Sequence, residues 1–290
     1  MNTKPIIFLL IVLTIASLAC GVTVDLPGIT QVKTGPTQTS SIQVPLLPES
    51  EGTVAITLEF GAGRLLVDPG ADDLLVEGEA TYNVTDFKPT IEVAGNQVTI
   101  SQGDLNLKGI PNFDSSIKNT WDLKLGEADM ALIVKAGAYQ SELELGGLNL
   151  VSLAIADGAA EAKVSFSEPN RTEMSSLDYK TGASEVTLKG LANANFETMK
   201  FRGGAGSYTL DFSGDLKRDA EIDIDAGVSS VVINVPKGMS AELIYTGALL
   251  NIDTDGDWEK TGGRYVLEGD GPKLTFNLTM GAGSLELTNR

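Results

Sequence analysis

From Thr53 onward, apolar and polar positions alternate. Val54, Ile56, Leu58 and Phe60 fall on one side of an extended chain, the period of two that marks a half-buried strand. That strand runs into Gly61-Ala62-Gly63-Arg64-Leu65-Leu66-Val67, and the phrase, a glycine corner followed by renewed alternation, returns down the chain. Gly137-Ala138 precedes Leu143 and Leu145, and Gly158-Ala159 precedes Val164 and Phe166. Gly182-Ala183-Ser184-Glu185-Val186-Thr187-Leu188 is the clearest copy. Gly204-Ala205-Gly206-Ser207-Tyr208-Thr209-Leu210 and Gly227-Val228-Ser229-Ser230-Val231-Val232-Ile233 follow. A weaker Gly247-Ala248-Leu249-Leu250-Asn251-Ile252 and a final Gly281-Ala282-Gly283-Ser284-Leu285-Glu286-Leu287 complete the series.

Between Gly137 and Gly247 the corners recur about every 22 residues, a fixed period of the kind that marks a solenoid. Leu148-Asn149-Leu150, Met199-Lys200-Phe201 and Ile222-Asp223-Ile224 supply a second alternating strand between corners. Two short strands and their corners make one coil of a parallel β-helix, with like phrases stacked as neighbouring rungs. Each glycine is expected where the backbone of the next coil comes close or φ is positive. A β-sandwich with similar hairpin turns competes with this arrangement, because turns every 8–12 residues or so hide inside the same period. The last interval is longer and contains Trp258, and the Gly281 phrase is placed to close the stack. The prediction is an all-β domain, a parallel β-helix of roughly 22-residue coils without significant helix. Residues 52–135 form its N-terminal part and 136–290 its repeat region, the two being continuous.

Composition sharpens this picture. The chain has 32 glycines, few aromatics and a formal net charge of −18. So acidic a surface repels phosphate backbones, which argues against nucleic acid as a partner. Histidine is absent and there is one cysteine. That excludes zinc sites built from His and Cys, and Ser–His or Cys–His nucleophile pairs. No cofactor is expected, and without disulfides stability must come from a core, for which the chain is long enough.

The first 19 residues carry the parts of an export signal: Lys4, an uncharged apolar run from Ile6 to Ile15, then small residues at Ala16, Ser17 and Ala19. The apolar run is shorter than the roughly 20 residues that span a bilayer. Directly after it stands Cys20, the only cysteine. This arrangement resembles the lipobox of bacterial lipoproteins, in which the chain is cut before a cysteine that receives a diacylglyceryl anchor. Lipobox sequences carry Leu, Val or Ile three residues before the cysteine; Ser17 stands there, and Leu18 follows. Ordinary cleavage after Ala19, releasing a soluble secreted protein, therefore stays open. The resemblance implies lipidation at Cys20 and an exported chain held at the extracytoplasmic membrane surface. Gly21–Ser50, with Pro27, Pro36, Pro45 and Pro48 among many Thr and Ser, reads as a tether, so that residues 20–51 lead from anchor to domain. The sequons at Asn83, Asn170 and Asn277 are read as chance in a bacterial chain.

The order of motifs resembles the toast-rack family of bacterial envelope proteins. In the N-terminal part the matching residues are Gly61-Ala62-Gly63-Arg64-Leu65, Ala80-Thr81-Tyr82-Asn83 and Phe87-Lys88-Pro89. Phe166, Pro169-Asn170, Thr181-Gly182-Ala183-Ser184 and Gly190-Leu191-Ala192-Asn193-Ala194 follow, and Gly203-Gly204-Ala205-Gly206 through Leu210-Asp211-Phe212-Ser213-Gly214 complete the set. The resemblance covers essentially residues 52–290. It implies a right-handed β-helix at the cell surface, related to domains in regulators of the cell-wall stress response and in adhesin-like proteins. It implies no catalytic residues.

Two acidic clusters are the candidate binding features. Asp215, Asp219, Glu221, Asp223 and Asp225 form the first; Asp223 and Asp225 alternate with Ile222 and Ile224 and point outward if the isoleucines are core. Stacked carboxylates of this kind can hold Ca²⁺ or a basic partner, although a solvated face is the ordinary reading. Asp253-Thr254-Asp255-Gly256-Asp257-Trp258 echoes the start of an EF-hand loop, but Trp258 holds the glycine position and Arg264 the position of the closing Glu. An Asp–Gly turn is its default. The glycine phrase at Gly204-Ala205-Gly206 precedes a strand and lacks a following Lys-Ser/Thr, so it is not a phosphate loop. Carbohydrate cleavage by paired carboxylates needs rings for sugar stacking, for which Tyr179, Tyr208 and Trp258 are candidates. The reading that follows is a non-catalytic surface scaffold or adhesion module contacting a protein or glycan. The alternatives are an envelope-stress regulator acting on a sensor kinase and a β-helical carbohydrate enzyme.

Overall fold

The computed structural model describes residues 29–48, 52–103, 110–112, 116–247 and 249–290. The expected export signal and Cys20 lie outside the described residues. The chain divides into two units. In the smaller, β1 (Ile29–Gln31) runs parallel to β7 (Ile110–Asn112). The larger, residues 33–105 and 115–290, carries everything else.

Its frame is a set of long strands, each bent at a glycine corner. These are β3 (Val54–Pro69), β9 (Met130–Glu144), β10 (Leu150–Ser165), β11 (Met174–Lys189), β12 (Phe196–Asp211), β13 (Ala220–Asn234) and β18 (Lys273–Thr288). They pair in parallel in that order. Like residues stack: Leu153 lies between Leu132 and Leu177, and Phe201 between Tyr179 and Ile224. In β3 the buried positions are Val54, Ile56, Leu58 and Phe60 before the corner, then Leu65 and Val67 after it. The step from even to odd positions keeps both limbs facing one core while the chain turns. Rings fill that core where neighbours are small, with Tyr179 stacked on Phe201 at 5.6 Å and Phe201 edge-on to Tyr208 at 4.9 Å.

The parallel pairing of successive rungs overturns the sandwich, whose sheets are antiparallel. The all-β, solenoid-like stack is what forms. Among the described residues helix is limited to 3₁₀ turns at Thr85–Phe87 and Leu191–Ala194.

Further strands finish both ends, the first parallel to the frame and the outer ones antiparallel. β6 (Gln97–Ser101) joins the first limb of β3, and β5 (Thr90–Ala94) follows it. β8 (Asn119–Leu125) joins the second limb, then β4 (Leu74–Tyr82) and β2 (Gln38–Pro45). At the far end β14 (Ser240–Thr246) and β15 (Leu249–Asp255) form one bent rung on β18, and β17 (Arg264–Leu267) and β16 (Glu259–Thr261) extend it.

Two expectations are corrected here. The Gly281 phrase does not close the stack: β18 inserts between β13 and the β14–β15 rung that precedes it in sequence. The reason is apolar content. β18 buries Leu274, Phe276, Leu278, Met280, Leu285 and Leu287 and gains from neighbours on both sides. The β14–β15 rung leaves Ile244 and Leu249 exposed and tolerates the outer place. The tether expected over residues 20–51 also ends early. Within it, Gln38–Pro45 pair along β4, and the alternating Ile42 and Val44 are fully buried. Surrounding prolines and threonines masked that short period-two signal.

Candidate functional site

The stacked rungs turn polar ladders outward. Gln140 Nε2 donates to Glu161 at 2.8 Å, and Arg64 pairs with Glu142 at 2.7 Å. Ser165 Oγ donates to Glu144 at 2.7 Å; Asn234 Nδ2 donates to Asp211 at 3.0 Å, and Asn234 Oδ1 accepts the Thr288 hydroxyl at 2.8 Å. A shallow concavity of about 360 Å³ lies on this face, lined by Arg64, Gln140, Glu161, Lys163, Glu185 and Thr187.

The acidic candidates are dispersed on such ladders. Ile222 and Ile224 are fully buried, and Asp223 and Asp225, which alternate with them, point outward. Asp223 lies in register between Lys200 and Asn277, whose Nδ2 donates to it at 3.1 Å. Asp225 lies between Arg202 and Thr279. Asp253 accepts from Asn251 at 2.7 Å, and Asp255 from Arg290 Nε at 3.0 Å. Asp257 stands at a separate concavity with Glu259 and Arg264. Among the described residues no three His, Cys, Asp or Glu side chains gather as ligands for a cation. Tyr179 and Tyr208 are core residues, and Trp258 is 7% exposed. None of the three rings presents a face for a sugar.

One polar group was not singled out from sequence. At the corner of β10, Asp157 turns into a knot of hydroxyls from neighbouring rungs. It accepts the Tyr179 hydroxyl at 2.8 Å and the Thr181 hydroxyl in a very short contact; Thr181 and Ser184 lie 2.5 Å apart. Ser184 Oγ in turn accepts the Ala160 N–H at 2.9 Å. Tyr139, Ser141 and Tyr208 are buried nearby, their hydroxyls without a hydrogen bond of ordinary geometry. Burial raises the Asp157 carboxyl above the ordinary carboxylate range, against the three hydroxyls that favour its charge. Burial likewise pushes the Tyr139 phenol up to about 12 and raises Tyr179 and Tyr208. The signal was available in the aligned phrases. The residue before each corner glycine is Phe60, Ala136, Asp157, Thr181, Gly203, Ala226 and Met280, a column with a single acid.

The knot sets a lone carboxylate among neutral donors, with no second charged group among the causes of its shift. It ties two rungs together. Because its folded pKa lies above the unfolded one, the charged form costs stability, and the cost grows as pH rises through the folded pKa. Asp157→Asn is expected to remove that component. The variant's unfolding free energy, relative to the wild type, should rise as pH rises from the ordinary carboxylate range through the folded Asp157 pKa in urea titrations; a constant difference would contradict this.

The family model of the N-terminal domain of toast_rack, DUF2154, matches residues 33–175 and 169–234. The chain belongs to the toast-rack family. The matched stretches run from the residues before β2 through the β13 rung. No curated protein matches the toast-rack chain. Solved structures similar to it include a candidate cell adhesion protein from Clostridium sporogenes, with 17% identity, 88% of this chain and 100% of that chain covered, and a TM-score of 0.46. A candidate adhesin from Bacteroides fragilis has 11% identity, coverage of 89% and 99%, and a TM-score of 0.46. A candidate lipid binding protein from Parabacteroides distasonis has 11% identity, coverage of 90% and 99%, and a TM-score of 0.43.

Proposed function

We propose that this toast-rack protein is a non-catalytic binding module at the cell surface, exported and anchored by lipid on Cys20. In this reading its coils are right-handed and of about 22 residues, and the stacked faces act as a rigid scaffold for a surface protein or glycan. The observation that carries it is the outward polar ladder. Its acids pair with neighbouring cations, amides and hydroxyls along flat faces, and do not converge with rings in a cleft. Family membership supports the surface location.

The anchor has a direct test. Wild-type cells fed a labelled fatty acid should yield labelled protein in the membrane fraction. Cys20→Ala should lose the label; label retained by the variant would reject the anchor. Partner capture tests the module. The tagged full-length protein is cross-linked in cells with and without a cell-wall antibiotic, and captured partners are identified by mass spectrometry. Capture of surface proteins or glycan, indifferent to the drug, is expected. Drug-dependent capture of a sensor kinase would replace the scaffold by a stress regulator, and hydrolysis on a glycan panel would overturn the non-catalytic reading.

A further inference from the structure

The two limbs of the sheet end differently beyond β3. The second limb continues through β8, β4 and β2, whereas the first continues only through β6 and β5. Among the described residues β5 pairs with β6 alone, so its other side is a free edge. The register carries two core columns out to that edge: Ile56, Val98 and Val93 form one, and Leu58, Ile100 and Ile91 the other. The inner members are fully buried, but Val93 is 51% and Ile91 39% exposed. Sheet edges are ordinarily protected by lysine, proline or a bulge. Thr90–Ala94 has none of these; its one charge is Glu92, on the face opposite Ile91 and Val93.

We propose that the free edge of β5 is a strand-docking site for an extended segment of a basic partner protein. The unpaired N–H and C=O groups of an edge accept an extended backbone. Ile91 and Val93 select aliphatic side chains two residues apart, which lengthens the two core columns by one member each. Glu92 selects Lys or Arg at the position between them. A second copy of the chain fits poorly. Antiparallel self-pairing about Glu92 sets two carboxylates opposite each other, and each copy carries a net charge of −18. One added strand also brings the first limb level with the second, which is longer by one strand.

This assignment deepens the binding-module reading and rests on it. The test uses the full-length protein in detergent and two labelled ten-residue peptides. One alternates Val with Lys and Thr; the other carries Glu in place of Lys. Fluorescence anisotropy should show binding of the basic peptide and weaker binding of the acidic one. Glu92→Lys, an exposed change, should reverse the preference by about fivefold. Val93→Lys should weaken both, with circular dichroism unchanged, and N-methylation of alternate peptide nitrogens should abolish binding. The proposal is overturned if neither peptide binds, or if binding is indifferent to both substitutions. Dimers that Val93→Lys dissolves in sedimentation would assign the edge to a second copy and overturn it too. Failure here with surface partners still captured in cells rejects the β5 site alone; failure of both rejects the binding module.

Discussion

Gly182→Ala should destabilise the domain by about 3 kcal/mol, enough to shift its urea midpoint sharply at unchanged slope. A Cβ at this corner would lie 2.3 Å from the Gly158 carbonyl oxygen in the rung below. The obstacle is backbone, held by the parallel ladder on both sides of the corner, so it cannot swing away as a side chain does. Relief requires the rungs to part, and that breaks hydrogen bonds between β10 and β11. The same column provides an internal gradient. At Gly204 and Gly227 the corresponding distances are 2.4 and 2.3 Å, but at Gly158 and Gly281 they relax to 3.0 Å. Alanine at Gly158 should therefore cost about 1 kcal/mol. Equal costs along the column would show that the corners yield, and that the glycines are there for another reason.

The second large effect is expected at Asn170, which is 5% exposed. Its Oδ1 accepts the Leu150 N–H at 2.9 Å, and its Nδ2 donates to the carbonyls of Leu150 and Thr172, both at 2.8 Å. One side chain thus stands in for a missing strand partner at the turn between β10 and β11. Asn170→Ala should cost about 3 kcal/mol, because it strands the buried N–H and carbonyl of Leu150 away from water, while the Thr172 carbonyl keeps the Asn195 amide. Asn170→Asp should recover less than half of that, since a carboxylate accepts but cannot donate. Urea unfolding of the three proteins decides it. An alanine variant within 0.5 kcal/mol or so of wild type would mean that the freed groups find other partners. This need explains the residue. Read from sequence, Asn170 stood only in a chance sequon and a family phrase.

A periodic pattern encodes local geometry. Alternation at Val54–Phe60 and at each later copy specified strands, and the recurring glycine specified where they bend. Both are local statements, because side-chain direction alternates along any extended chain and a glycine corner is needed wherever backbones meet. The family was legible for the same reason, being carried by the order of those phrases. Asp223 and Asp225 could be placed outward from Ile222 and Ile224 alone. Short signals failed where composition buried them, as with Ile42 and Val44 of β2.

Spatial order was a different matter. The Gly247 and Gly281 phrases look alike in sequence, and nothing local says which is the outer rung. Competition for burial put the more apolar β18 inside and the Leu249 rung outside. Likewise Asp157, Tyr179, Thr181 and Ser184 become one knot only when the register stacks their rungs. The open edge of β5 is also a property of pairing: among the described residues no strand lies beside Ile91 and Val93 on the side away from β6. Strands, corners, charge and family follow from the order of residues along the chain. Rung order, the hydroxyls that meet the buried carboxylate and the open side of β5 among the described residues follow from packing, because they depend on contacts between residues far apart in the chain.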